Sequence, residues 1–179
     1  MIADLTQLPA PRAGFIAQLI RALMDALLLY LPMFLLGREP ATPSSLPFFS
    51  TGRYYLALVW LSPVVLTGEW LIGGALIHLI LRLSGRESSF DLILNLTGMA
   101  ALVVGAALLV WDWLWVALGG VDQVFLGITH LVIDIWVVVV VAAGLKAWFG
   151  VRYRFAVPLA ISSIVAAFPA AVMFMRAPL

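Results

Sequence analysis

Five long apolar stretches, separated by short polar segments, run along the chain and predict five membrane-spanning helices. A helix needs about 20 predominantly apolar residues to cross the hydrocarbon core of a bilayer. The predicted spans are residues 15–36, 54–83, 90–116, 124–148 and 155–175. We therefore expect an all-α fold, a polytopic bundle of five transmembrane helices, in which an N-terminal tail of residues 1–14 precedes a single transmembrane domain of residues 15–179.

The first stretch fits two placements in the membrane. Arg21 and Asp25 interrupt it four residues apart, on one face of a helix. This pattern also suits an amphipathic helix that lies in the interface. A span is favoured because residues 26–36 are uninterrupted apolar sequence apart from Pro32.

The polar segments between the spans predict how neighbouring helices pair. Residues 84–89 form a very short connection, so the second and third spans should make an antiparallel hairpin. Ser88 or Ser89 is the expected N-cap of the third span, and Asp91 is favourable in its first turn. Residues 37–53 contain three prolines and predict an irregular loop.

Composition supports a membrane protein and excludes several other classes. The 179 residues are 64% hydrophobic and 11% charged, whereas soluble domains have roughly 45–50% apolar and about 25% charged residues. The net charge of +1 offers no basic surface for nucleic acid. The chain has no cysteine, which excludes disulfides, thiolate catalysis and zinc–thiolate sites.

Positive charges at the ends of the spans predict the orientation of the chain. Lys and Arg are enriched in cytoplasmic loops, and they favour the side of the N-terminus by six to three. The six are Arg12, Arg82, Arg86, Lys146, Arg152 and Arg154, and the three are Arg38, Arg53 and Arg176. We expect the N-terminus inside and the C-terminus outside. The basic turns on the inner side either only fix this topology or also attract anionic lipid headgroups.

Small residues occur where two helices could approach closely. Gly73 and Gly74 form a smooth patch on the second span. Gly98 and Gly105, seven residues apart, lie on nearly one face of the third span. The fifth span carries a small-residue face formed by Ala166, Ala167, Ala170 and Ala171. Together with the Gly73–Gly74 patch, this face is the predicted helix-packing interface.

Three carboxylates, Asp25, Glu69 and Asp134, fall near the middle of their spans. A charge there costs about 2.5–3.5 kcal/mol on insertion scales, so these groups should face the interior of the bundle. They predict either a proton or cation route, with Glu69 and Asp134 as carriers and His130 as a relay, or structural polar pairs. In the structural alternative Arg21 pairs with Asp25, His130 pairs with Asp134, and Glu69 is neutral.

Other chemistry has weaker support in the sequence. His130 and Asp134 could share a metal ion with Glu69, but no local ligand motif accompanies them. We therefore predict no metal and no cofactor. Three tryptophans at positions 111, 113 and 115 resemble an aromatic belt at the membrane surface, where Asp112 would be exposed or snorkel outward. His78, beside Arg82, is expected to reach the headgroup interface.

Two segments of the chain resemble the Yip (Ypt-interacting protein) domain family. GGALIHLILRLSGRESSFDLILNLTGMA, residues 73–100, is similar to its small-residue helix, Gly-plus-basic turn and Ser-Phe helix entry. IDIWVVVVVAAGLKAWFGVRYRFAV, residues 133–157, resembles its second signature. The resemblance implies five spans, an N-terminus inside and a short member in the bacterial cytoplasmic (inner) membrane. The Asp-Leu-Tyr-Gly-Pro motif tied to GTPase partners in eukaryotic members has no counterpart here, so GTPase binding is not expected.

These observations predict a non-enzymatic membrane scaffold or accessory subunit. Its expected partners are membrane lipids and other integral membrane proteins, or a second copy of itself, bound through the small-residue faces. The alternative is a small transporter or a proton- or cation-conducting bundle that uses Asp25, Glu69, His130 and Asp134. A membrane enzyme acting on lipid is disfavoured because no credible reactive pair is present.

Overall fold

The computed structural model describes residues 12–44, 50–119 and 122–174, and these residues form helices and connecting turns without a β-sheet. Side chains at positions 167, 170–172 and 174 also lie outside the described part. The helices are α1 (Arg12–Met24), a π-helical segment (Asp25–Tyr30), α2 (Leu31–Leu35), α3 (Tyr54–Leu83), α4 (Phe90–Ala117), α5 (Gln123–Phe149) and α6 (Tyr153–Phe174), with a 3₁₀ turn (Thr51–Arg53) before α3.

Four of these elements are long and apolar enough to cross a membrane, which makes the protein a multi-pass membrane protein. They are Arg12–Leu35, Thr51–Leu83, Phe90–Ala117 and Gln123–Phe149. The part of α6 from Tyr153 to Ala166 adds a shorter apolar helix. The all-α bundle is confirmed, and the first stretch has the length and apolar composition of a span rather than of a short surface helix.

The helices run in alternating directions around the bundle. The Trp70 indole N–H donates to the Leu94 carbonyl oxygen at 3.1 Å, and the Ser88 hydroxyl lies 2.8 Å from His78 Nδ1. These two contacts make α3 and α4 the antiparallel hairpin expected from the short connection. Ser89 caps α4 by accepting from the Leu92 N–H.

Glycines allow α1 to cross α4 with the two backbones in direct contact. The Gly14 N–H donates to Asn95 Oδ1 at 2.6 Å. A methyl group at Gly98 would lie 2.9 Å from the Gly14 carbonyl carbon, inside any ordinary contact distance. About two helical turns further along α4, a methyl group at Gly105 would overlap the Arg21 side chain. Gly98 and Gly105 therefore share the face that receives α1, as their spacing predicts.

Two apolar clusters fill the bundle and leave a gap between them along its axis. The inner cluster joins α3, α4, α5 and α6 through Ile77, Leu81, Ile93, Leu96, Ala100, Val141, Ala142, Leu145, Val151, Ala156, Leu159 and Ala160. The outer cluster lies at the opposite end and comprises Leu29, Met33, Tyr54, Tyr55, Leu58 and Leu109. On α4 these clusters stop at Ala100 and resume at Leu109, so the middle of the bundle is packed differently.

The close helix packing expected at Gly73 and Gly74 is present, and its partners are helices of the same chain. A methyl group at Gly74 would lie 2.5 Å from Leu94 Cδ2 on α4, and one at Gly73 would lie 3.3 Å from Ser163 Cβ on α6. These two glycines are buried, so the smooth patch that they form is occupied by helices of the same chain. Ala166 is partly buried, while the side chains of Ala167, Ala170 and Ala171 lie outside the described part.

Replacing Gly98 by Ala should loosen the α1–α4 crossing. The added methyl group meets the Gly14 backbone, which cannot move aside like a flexible side chain, so we expect a loss of about 1–3 kcal/mol in stability. SDS titration of the purified protein, followed by circular dichroism, measures this. Gly127→Ala is the matched control, because that helical glycine has no neighbouring atom within 4 Å. Equal unfolding midpoints for the two variants would contradict the role of the crossing.

Candidate functional site

Six ionisable side chains lie at buried or partly buried positions of the bundle, spread along its axis beside the two apolar clusters. They come from four separate elements: α1 with its π-helical continuation, α3, α4 and α5. We call them the polar layer, and they are Arg21, Asp25, Glu69, Asp112, His130 and Asp134. Ionisable groups in a membrane span are expensive, so their concentration in one region of a small bundle marks a candidate functional site.

Arg21 enters the bundle interior through the space left by Gly105. It forms an ion pair with Asp25 one turn further along the same element, and the two side chains are 12% and 7% exposed. The pair predicted from the i, i+4 spacing is therefore present. Because a Cβ atom at position 105 would occupy the place of the guanidinium group, a glycine on α4 is what admits this cation.

A π-helical segment begins at Asp25 and ends at Tyr30, and Pro32 is the second residue of the α2 helix that follows. Proline has no N–H, so Pro32 cannot donate to the Leu28 carbonyl as a residue four positions further normally would. The Trp113 indole N–H donates to that oxygen instead, at 2.8 Å. Segments of π-helix are rare and often occur at functional sites, and here the segment carries one of the buried carboxylates.

His130 pairs with Asp112 on the neighbouring helix and not with Asp134, which corrects the predicted pair. Its Nε2 lies 2.7 Å from Asp112 Oδ1, and the side chains are 12% and 15% exposed. The expectation that Asp112 is exposed or snorkels outward is therefore also wrong. Antiparallel packing of α4 and α5 places Asp112 directly opposite His130, whereas Asp134 lies further along α5.

The tryptophans near Asp112 fix the alignment of α4 with α5. The Trp111 indole N–H donates to Thr129 Oγ1 at 2.9 Å. Trp115 stacks on Phe125 with 5.3 Å between ring centroids. These side chains make specific contacts between helices, so membrane anchoring alone does not explain them.

Glu69 and Asp134 complete the polar layer, and they differ from the other carboxylates. Both are partly buried, and neither forms a hydrogen bond or ion pair with a side chain that the structure describes. Glu69 interacts electrostatically with Arg21 and Asp134, and Asp134 interacts with His130 and Arg21. Arg21 itself is ion-paired with Asp25, so it acts on Glu69 and Asp134 only as a positive charge at longer range.

Charge balance in the polar layer requires protons or a bound cation. Four carboxyl groups face one arginine and one histidine. With every carboxyl ionised, negative charges would exceed positive charges by two or three, according to the protonation of His130. A low-dielectric interior strongly disfavours such an excess. The layer is therefore suited to hold exchangeable protons.

The polar layer extends along the bundle axis rather than across it. Glu69 adjoins Trp70, whose ring packs near Phe15 of α1 at 6.4 Å between centroids. The Asp112–His130 pair lies near the other end of α4. At 1.5 Å of rise per residue, α4 advances about 20 Å between the level of Gly98 and Asp112. The ionisable groups thus follow one another over much of the thickness of a bilayer core.

A shared metal ion at Glu69, His130 and Asp134 is not supported. Among the described residues, no group of three or more His, Asp or Glu side chains could hold a metal ion. His78 lies apart from the polar layer, where its Nδ1 contacts Ser88 and its ring packs edge-on against Phe90 at 5.7 Å. It therefore stabilises the α3–α4 turn.

Sequence reasoning missed Asp112 as a member of the layer, although a signal for it exists. Positions 112 and 130 are nearly equidistant from the turn around residues 119–122. An antiparallel hairpin about that turn places them face to face, as it does Trp111 and Thr129.

Comparison with known proteins adds no relative. No family model matches the chain, and no curated protein or solved structure matches it significantly. The likeness of residues 73–100 and 133–157 to the Yip domain family stays a prediction. The fold and the site together define the class of the protein. It is a multi-pass α-helical membrane protein whose bundle contains buried and partly buried ionisable side chains.

A double-mutant cycle on His130→Ala and Asp112→Ala should reveal their pairing. Interhelical hydrogen bonds in membrane bundles average about 0.6 kcal/mol and reach about 1.7 kcal/mol, so we expect a coupling energy in this range. The cycle of His130→Ala with Asp134→Ala is the control and should give a smaller coupling, because His130 acts on Asp134 without a hydrogen bond. Unfolding free energies in mixed micelles supply the measurement, and stronger coupling to Asp134 would refute the assignment.

Proposed function

We propose that this protein translocates protons through the polar layer, with Glu69 and Asp134 as proton carriers and the His130–Asp112 pair as a relay. The observation that carries the proposal is the position of Glu69 and Asp134. They are partly buried, lie within electrostatic range of Arg21, and have no hydrogen-bond partner in the described part of the chain. Intramembrane carboxylates and histidines are typical of proton relays.

Each remaining group of the layer has a distinct task in this proposal. Arg21 supplies the positive charge that tolerates a transient carboxylate at Glu69 or Asp134, and Asp25 with Gly105 holds it in place. His130 engages Asp112 through Nε2, which leaves Nδ1 as the second exchange position of the ring.

The outer apolar cluster must open for protons to reach the layer from that side. The π-helical segment Asp25–Tyr30 and Pro32 lie beside that cluster. Because their backbone hydrogen bonding is irregular, this segment is the part of the bundle that would move in the proposal. A shift of this segment would move Asp25 and release Arg21, and it would break the Trp113–Leu28 hydrogen bond. Such a step would couple proton movement to helix movement.

A second candidate function is the accessory subunit expected from the sequence, with a contact face on α5. This helix is the least covered of the four long ones: 17% of its most apolar window is buried, against 50% for α4. Its exposed apolar residues include Ile128, Leu131, Ile135 and Val139, which recur at helical spacing. A partner helix or a second copy would bind there, and not at Gly73 or Gly74.

We also propose the bacterial cytoplasmic membrane as the location, with the N-terminus inside and the C-terminus outside. The resemblance to short Yip-type proteins supports the compartment. The clustering of cations supports the orientation: Arg86 packs over Phe155 and Lys146 over Tyr153, so the basic turns share one end of the bundle. Arg12 begins α1 near the start of α4, at this same end.

Neutralising either proposed carrier should abolish proton flux. In liposomes that contain the purified protein and a trapped pH dye, a potassium diffusion potential should drive proton entry. Glu69→Gln and Asp134→Asn should each slow this entry at least about tenfold, equivalent to about 1.4 kcal/mol in a barrier. Glu39→Gln, at an exposed loop carboxylate, should leave the rate within about twofold of the unmodified protein.

Two results of the flux assay would reject proton translocation. One is flux in protein-containing liposomes no faster than in empty ones. The other is equal rates for Glu69→Gln and Glu39→Gln while circular dichroism shows both folded.

Site-directed crosslinking tests the accessory-subunit alternative, since the chain has no cysteine of its own. Leu131→Cys places a thiol on the exposed face of α5, and Val141→Cys places one in the core. If α5 binds a partner, a maleimide–benzophenone reagent attached to this thiol in native membranes and then photoactivated should convert the Leu131→Cys variant into one discrete larger species, because benzophenone reacts with C–H bonds of any neighbour. Only monomer with both variants would exclude this face as an interface.

A further inference from the structure

An open pocket of 740 Å³ lies at the inner end of the bundle, away from the Asp112–His130 pair. It is formed by the end of α3, the turn between α3 and α4, and the end of α5. Its lining consists of Arg82, Arg86, Glu87, Ser88, Ser89, Trp148 and Phe149. No role in the proton route involves these residues.

The two arginines of this pocket are free to bind an anion. Neither forms an ion pair with a residue that the structure describes. Arg86 is held over the Phe155 ring, with its guanidinium carbon 5.6 Å from the ring centroid, which orients the group without neutralising it. Arginine presents a planar set of donors that matches phosphate oxygens in a bidentate manner.

Polar groups beside the arginines add further donors. The indole nitrogen of Trp148 is buried and has no hydrogen-bond partner within the described residues. That nitrogen is shielded from the pocket, so the further donors available to a ligand are the hydroxyl groups of Ser88 and Ser89, which line it. The N-terminus of α4 begins beside Ser89, where backbone N–H groups favour negative charge.

We propose that this pocket binds the phosphodiester group of an anionic glycerophospholipid from the inner leaflet. Arg82, Arg86 and Glu87 leave one net positive charge, which complements the single negative charge of a phosphodiester. Glu87 would repel an ion with two or more charges. Inorganic phosphate shares the oxygen chemistry, so the experiment has to separate the two sources.

Neighbouring apolar side chains make a lipid the better fit than a free anion. Leu79 and Leu83, next to Arg82 on α3, are 53% and 78% exposed. Acyl chains can lie along these leucines while the headgroup occupies the pocket. This proposal does not depend on proton translocation, because it uses none of the residues of the polar layer.

Lipid-dependent stabilisation of the purified protein tests the pocket. The thermal unfolding midpoint in a nonionic detergent is measured during titration with phosphatidylglycerol, phosphatidylcholine or inorganic phosphate. Phosphatidylglycerol should raise the midpoint, and the double variant Arg82→Gln/Arg86→Gln should need about tenfold or more of this lipid for the same rise. Arg152→Gln/Arg154→Gln, with the same charge change at exposed positions outside the pocket, should shift the titration by less than about twofold.

Each other outcome overturns the proposal. Equal losses in the two double variants would show attraction by overall charge without a site. Equal stabilisation by phosphatidylcholine, or by inorganic phosphate alone, would exclude an anionic lipid as the ligand. Because Arg86 also packs on Phe155, the single variant Arg82→Gln repeats the titration with that contact intact, and an unchanged midpoint curve would likewise refute the pocket.

Discussion

An arginine inside a membrane bundle needs both space and an opposite charge, and the structure of this protein depends on how Arg21 obtains them. Gly105 gives it space on α4, and Asp25 supplies the charge one turn away. A glycine is needed at position 105 because α1 crosses α4 at backbone contact through Gly14 and Gly98, which leaves no room there for both a side chain and Arg21. In a membrane, where burial of apolar surface gives no driving force between helices, such close packing and interhelical hydrogen bonds hold helices together. The crossing of α1 with α4 therefore also determines where Arg21 of the polar layer lies.

The two apolar clusters differ in the helices that they join and in the regularity of the backbone beside them. They pack the bundle along its axis, while Glu69 and Asp134, which are partly buried, lie alongside them. The inner cluster joins four helices and makes a rigid base. The outer cluster adjoins the π-helical segment and Pro32, where the regular backbone hydrogen bonding is interrupted and α4 compensates for it through Trp113. We thus expect the π-helical segment to move at the end of the outer cluster, and we propose lipid binding at the opposite end, beside the inner cluster.

Small residues are used within the bundle, and this changes where a partner could bind. Gly73, Gly74 and Gly144 meet side chains of α6 and α4, so these three glycines are not free surfaces. These glycines allow close contacts between helices of the same chain. The broad apolar face of α5 is what remains for lipid or for another helix.

The sequence by itself determined the helices: their bounds agree with the predicted spans within three residues wherever the structure describes them. Apolar length, the Ser89 cap and short turns are local signals, and so is the i, i+4 pair of Arg21 and Asp25. The sequence also predicted that Asp25, Glu69, His130 and Asp134 face the bundle interior, because charges avoid lipid. In the structure Asp25 is buried and the other three are partly buried. Only the tertiary structure decided which groups meet. Asp112 instead of Asp134 binds His130, and Gly74 packs on Leu94 instead of on a partner, because the rotation and alignment of packed helices arise from contacts between distant parts of the chain.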